Sequence, residues 1–112
     1  MKLINMTLHH QGDAEIAMAK EHGYELDPTP RGVLVGPGQQ GLEVASGEIA
    51  MILSEALREN AGVLIGGHTG ALVKGILKMR RLPKMVIFET NRKRDANGRF
   101  EFIPIGMEVV YE

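Results

Sequence analysis

Two spacings of apolar residues alternate along the chain. Short apolar runs of strand length stand at residues 2–7, at Gly32-Val33-Leu34-Val35, at residues 62–66 and at residues 85–88. Between them lie helical stretches. Residues 13–22 are rich in helix formers (Ala14, Glu15, Ala17, Met18, Ala19, Lys20, Glu21), and Gly23 supplies a stop. The next helix is predicted from Ser46 as N-cap, with Ile49, Ile52, Leu53, Ala56 and Leu57 at i, i+3, i+4, i+7 and i+8. Asn60-Ala61-Gly62 ends it. A third helix follows residue 70, with Leu72, Val73, Ile76 and Leu77 inward, Lys74, Lys78 and Arg81 outward, and Pro83 as its stop.

Residues 24–31, with Pro28 and Pro30, read as a loop, and Gly36–Gly41 as a mobile glycine loop. Asp95-Ala96-Asn97-Gly98 is a hairpin signal, followed by a loosely alternating strand over 99–111 around Pro104. The order β-α-β-α-β-α-β and then a hairpin predicts an α/β three-layer fold. Its sheet is mostly parallel, with an antiparallel C-terminal edge.

Length and composition narrow the class. With 112 residues, 44% apolar and 24% charged, the chain is one domain, residues 1–112, able to build its own core. There is no cysteine, which removes disulfides, thiolate metal sites and cysteine nucleophiles. The N-terminus lacks a signal-peptide core, and no apolar run approaches the ~18 residues of a membrane span. A cytoplasmic protein without membrane association is expected.

Charge points to a partner. The net charge of −1 conceals a split. Residues 1–60 hold four bases and nine acids, whereas residues 71–99 hold nine bases and two acids. An anionic partner for the C-terminal half is one reading, and a solvated basic hairpin is the other.

In an open α/β sheet, ligands bind beyond the carboxyl ends of the strands. That rule selects three segments: Thr7-Leu8-His9-His10-Gln11, Gly66-Gly67-His68-Thr69-Gly70, and the run from Glu89 through Thr90 and Arg92 to Arg94. The Gly-Gly-His-Thr-Gly turn suits phosphate, because its backbone can approach closely and a helix N-terminus follows. Otherwise it is a tight turn capped by Thr69. No Gly-Lys-Ser/Thr follows, so it is not a Walker A loop.

Gly36-Pro37-Gly38-Gln39-Gln40-Gly41 matches G-x-G-x-x-G. Yet Pro37 removes an N–H, and no acid ends the next strand to hold a ribose. The four histidines lack metal-ligand spacing, so no metal and no cofactor is expected. Arg92, closest to a strand end, is the candidate for gripping phosphate with a planar fork; were a phosphodiester cleaved here, Arg92 or Lys74 would stabilise the charged transition state. Only five aromatics are present, too few for a platform holding long nucleic acid.

Ile4-Asn5-Met6-Thr7-x-His9, Val63-Leu64-Ile65-Gly66-Gly67 and Thr90-Asn91-Arg92, followed by Gly98 and Phe100-x-Phe102, carry a resemblance. They resemble small Rossmann-like proteins associated with type III CRISPR systems. These are single-domain relatives of the CARF sensor domains, and some of the group are ring nucleases. The resemblance implies a homodimer that binds cyclic oligoadenylate, a second messenger of antiviral defence, and in part of the group degrades it without metal. His9, His10 and His68 would then serve proton transfer or ligand contact, Gly66–Gly70 phosphate, and Arg92 charge. Two rivals stand beside this reading: a non-catalytic module that sequesters such a nucleotide, and an α/β protein for a small phosphorylated metabolite.

Overall fold

Residues that alternate along each central strand go to opposite sides of a single sheet. The computed structural model describes residues 1–112. The sheet runs in the order β2-β1-β3-β4-β5, from β1 (Lys2–Met6), β2 (Glu25–Leu26), β3 (Gly62–Ile65), β4 (Met85–Arg94) and β5 (Phe100–Tyr111). The first four are parallel, and β5 returns antiparallel to β4.

Leu3, Leu64 and Val86 turn to one face and pack with Ala19 of α1 (Asp13–Glu21). Ile4, Met6, Val63 and Met85 turn to the other. There they meet Ile49, Ile52, Leu53 and Ala56 of α2 (Gly38–Glu59) and Ala71 of α3 (Thr69–Leu77). Both faces of β1 and β3 are thus covered, which is why these strands read as continuous apolar runs. The α/β class, the mostly parallel sheet and the antiparallel C-terminal pair follow the sequence expectation.

Four local expectations are corrected. Gly32–Val35 is not a strand, and the second strand lies in the segment read as a loop. The chain from Glu25 follows β1 by donating Glu25 N to Met1 O, Asp27 N to Leu3 O, Arg31 N to Asn5 O and Gly32 N to Thr7 O. Pro28 and Pro30 lack the N–H needed to complete that ladder, so only two residues qualify as strand.

The Gly36–Gly41 run is not a free loop. From Gly38 it forms the first turn of α2, eight residues before Ser46. A Cβ on Gly41 would stand 2.2 Å from the Gly36 carbonyl oxygen, so the glycine permits a tight entry into the helix. Ser46 is fully buried inside α2, and its hydroxyl donates to Glu43 O at 2.8 Å rather than capping a terminus.

The third correction concerns α3, which ends at Leu77 with Val73 and Leu77 exposed. Its buried positions are Ala71 and Gly75. A Cβ on Gly75 would lie 2.6 Å from Ile49 Cγ2, so small residues set the helix contact and roll the larger ones outward. Finally, β4 does not stop at Phe88 but continues through Arg94 as one arm of a long hairpin.

Candidate functional site

Asn5 organises the loop that follows β1. It is fully buried, and its side chain meets four partners. Nδ2 donates to His9 O at 2.9 Å and to Pro28 O at 3.0 Å, while Oδ1 accepts from Thr7 N at 3.2 Å and Thr7 Oγ1 at 2.6 Å. The amide orientation is fixed, because two partners are carbonyls that only accept and one is an N–H that only donates.

Thr7 Oγ1 in turn accepts from His9 N at 3.2 Å and from Gln11 Nε2 at 3.1 Å. Its single proton and both lone pairs are therefore engaged within the loop, which makes Thr7 a positioning group. The His9 and His10 rings are exposed and make no hydrogen bond to the protein.

The turn after β3 is shaped by a different rule. Gly67 has φ 93°, a conformation that side chains with a Cβ avoid, and open space surrounds its missing Cβ. Gly66 packs against the Thr7 side chain, where a Cβ would come within 3.1 Å. The cap of α3 is His68, not Thr69: His68 Nδ1 accepts from Ala71 N at 3.2 Å. That bond leaves Nδ1 without a proton and places the ring proton on Nε2. Gly70 sits against the capping ring, its missing Cβ 3.1 Å from His68 Cε1.

These segments enclose a cleft of about 670 Å³ at the carboxyl ends of β1 and β3 and beside the middle of β4. Thr7, His9, His10, Gly66, Gly67 and Thr90 all line it, joined by Gln11, Glu15, Phe88 and Phe102. Six of the sequence-selected residues are thus brought together. His68, Thr69, Gly70, Lys74 and Arg92 are not in the lining.

Lys74 is held elsewhere. It pairs with Glu43 of α2, and Lys78 reaches the same carboxylate at 3.4 Å. Those two hydrogen bonds hold the Glu43 carboxyl below its ordinary value of 4.5. Arg92 lies within β4, its guanidinium 5.2 Å from the Phe100 ring centre and 5.5 Å from that of Phe102. It therefore approaches the cleft only through Phe102. The lining carries one carboxylate, Glu15, and neither lysine nor arginine. The cleft therefore offers an anionic ligand hydrogen-bonding groups rather than a fixed cationic side chain.

No protein-family model, no curated protein and no solved structure matches this chain. The site therefore rests on its own geometry. No helix is long and apolar enough to cross a membrane.

Asn5, Glu15, Phe88 and Phe102 lie outside the three segments that the strand-end rule selects. Phe88 and Phe102 could have been found from their place on the strands flanking the Thr90 segment. The role of Asn5 had one signal, a polar residue inside an otherwise apolar strand.

Proposed function

We propose that the cleft binds a cyclic oligoadenylate and that the protein acts in type III CRISPR signalling, as the resemblance of its motifs implies. The observation that carries the reading is the convergence of Thr7, His9, His10, Gly66 and Gly67 from the ends of β1 and β3, with Thr90 from within β4, on one cleft. A ring of nucleotides needs phosphate contacts, which the backbone N–H groups of a glycine turn suit, and more space than one 670 Å³ cleft holds, so two facing clefts would share it.

The active assembly is a homodimer. A symmetric ring meets the same contacts twice when two copies face each other. Leu8 and Phe102, apolar and exposed at the cleft itself, give a facing partner apolar surface to cover.

The chemistry within reach is metal-independent cleavage. The ribose 2′-oxygen attacks the adjacent phosphorus, the bond to the 5′-oxygen breaks, and a 2′,3′-cyclic phosphate and a 5′-hydroxyl end result. One of His9 and His10 takes the 2′-hydroxyl proton, and the other gives a proton to the leaving oxygen. Calorimetric titration with cyclic tetra-adenylate should show binding, lost in His9→Ala/His10→Ala. Chromatography of the incubated ring should show linear products carrying a cyclic phosphate. Binding without products would leave a sequestering module. Absence of binding would remove the reading.

A further inference from the structure

The β4–β5 hairpin carries a second feature, which meets the cleft at Phe102 and runs outward from it. Arg92 lies opposite Phe102 and Arg94 opposite Phe100 in the ladder, so all four side chains share one face of the ribbon. Both guanidinium groups stack on phenylalanine: Arg92 on Phe100 at 5.2 Å and on Phe102 at 5.5 Å, and Arg94 on Phe100 at 5.1 Å. About one such contact per 70–80 residues is usual, so three on one short hairpin mark an unusual concentration.

The ladder is open to solvent, with Phe100 51% and Phe102 59% exposed. Neither Arg92 nor Arg94 has a carboxylate partner, and Lys93, on the other face of the ribbon, stands opposite Glu101. The nearby Asp95 is spent on the turn, its Oδ1 accepting from Asn97 N and Arg99 N at 2.9 Å.

We infer that this ladder is a binding site for a short single-stranded oligonucleotide segment, about two nucleotides long. Alternating rings and guanidinium planes offer stacking surfaces to bases, and the two guanidinium groups on this face, Arg92 and Arg94, offer charge to the phosphate between them. Two rings limit the length, which separates the site from a long-strand platform. The free edge of the hairpin is poorly suited to a second copy adding a strand. Pro104 lacks an N–H there, and the register slips past Ile105 and Val110 as bulges. The acidic N-terminal half of another copy is the competing occupant.

The site stands independently of the cleft reading, and its test uses a linear probe. Hexa-adenylate RNA with a 5′ fluorophore is titrated with the full chain and followed by anisotropy. Wild type should bind at low salt. Phe100→Leu, which keeps an apolar side chain outside the cleft lining, should weaken binding about fivefold. Phe100→Leu/Phe102→Leu should weaken it further at an unchanged salt slope. Arg92→Lys/Arg94→Lys should lose affinity although the charge is kept, and His9→Ala/His10→Ala should bind as wild type does.

Four results would overturn the inference. The first is no binding by wild type. The second is equal affinity of Phe100→Leu, which would make the hairpin a purely electrostatic surface. The third is loss of hexa-adenylate in the histidine variant, which would place the strand in the cleft. A dimer that falls to monomer with Phe100→Leu/Phe102→Leu would likewise assign the face to a second copy. Failure of cyclic tetra-adenylate to bind would leave all these expectations in place.

Discussion

Replacing Asn5 tests how the loop bearing His9 and His10 is held. Asn5→Ala removes two donated and two accepted hydrogen bonds at a fully buried position. Each contributes about 1 kcal/mol net. The carbonyls of His9 and Pro28 can partly recover water, so the expected cost is about 2–4 kcal/mol. At about 4 °C per kcal/mol for a domain of this size, the melting temperature should fall by roughly 8–16 °C.

Asn5→Asp sharpens the test, because the shape is kept while the donor group becomes an oxygen facing two carbonyl oxygens. Its ionised form should be less stable than Asn5→Ala at pH 7. Protonation restores one donor, so the carboxyl should titrate above the ordinary aspartate range in the folded state. Stability should then rise as pH falls through that raised value. Urea denaturation of wild type and both variants between pH 4 and 8 measures this. A cost below about 1 kcal/mol for Asn5→Ala, or an Asn5→Asp variant insensitive to pH, would refute the role given to Asn5.

Gly75→Ala gains about 1 kcal/mol of helix propensity but drives a methyl to within 2.6 Å of Ile49 Cγ2, so a net loss of about 1–2 kcal/mol is expected in urea denaturation. His68→Ala removes the cap of α3 and should cost about 1 kcal/mol by the same measurement, with no change expected from Thr69→Ala. Glu89 shares a hydrogen bond with Glu108, and that bond raises its carboxyl above 4.5. The folded state therefore holds a proton more tightly than the unfolded chain, and stability should decline as pH rises from about 4.5 through the raised value. Glu89→Gln should flatten that decline in the denaturation midpoint.

The parallel core was legible because β1, β3 and the start of β4 are buried on both faces and so write themselves as apolar runs. The positions of the segments after β1 and β3 were legible for a related reason: strand ends follow directly from strands. What escaped depended on contacts distant in sequence. Gly32–Val35 has the composition of a strand, but the place beside β1 is taken by residues 25–32, whose prolines hide their pairing. The start of α2 escaped because its first turns are Gly-Gln-Gln-Gly, a composition that signals a loop unless the close approach of Gly41 to Gly36 is known. Arg92 was placed at a strand end because apolar residues stop at Phe88. The strand runs on because β5 pairs with it, not because its own side chains are buried.

The location of the ligand is the central claim, and amide chemical-shift mapping tests it most directly. A 112-residue chain labelled with ¹⁵N is titrated with cyclic tetra-adenylate. The largest shifts should fall on residues 7–11, 64–67 and 87–90 and on Phe102, with little change along the outer face of α2. Shifts concentrated instead around Arg31, Glu48 and Arg58, or no shifts at saturating ring, would contradict the assignment of the cleft.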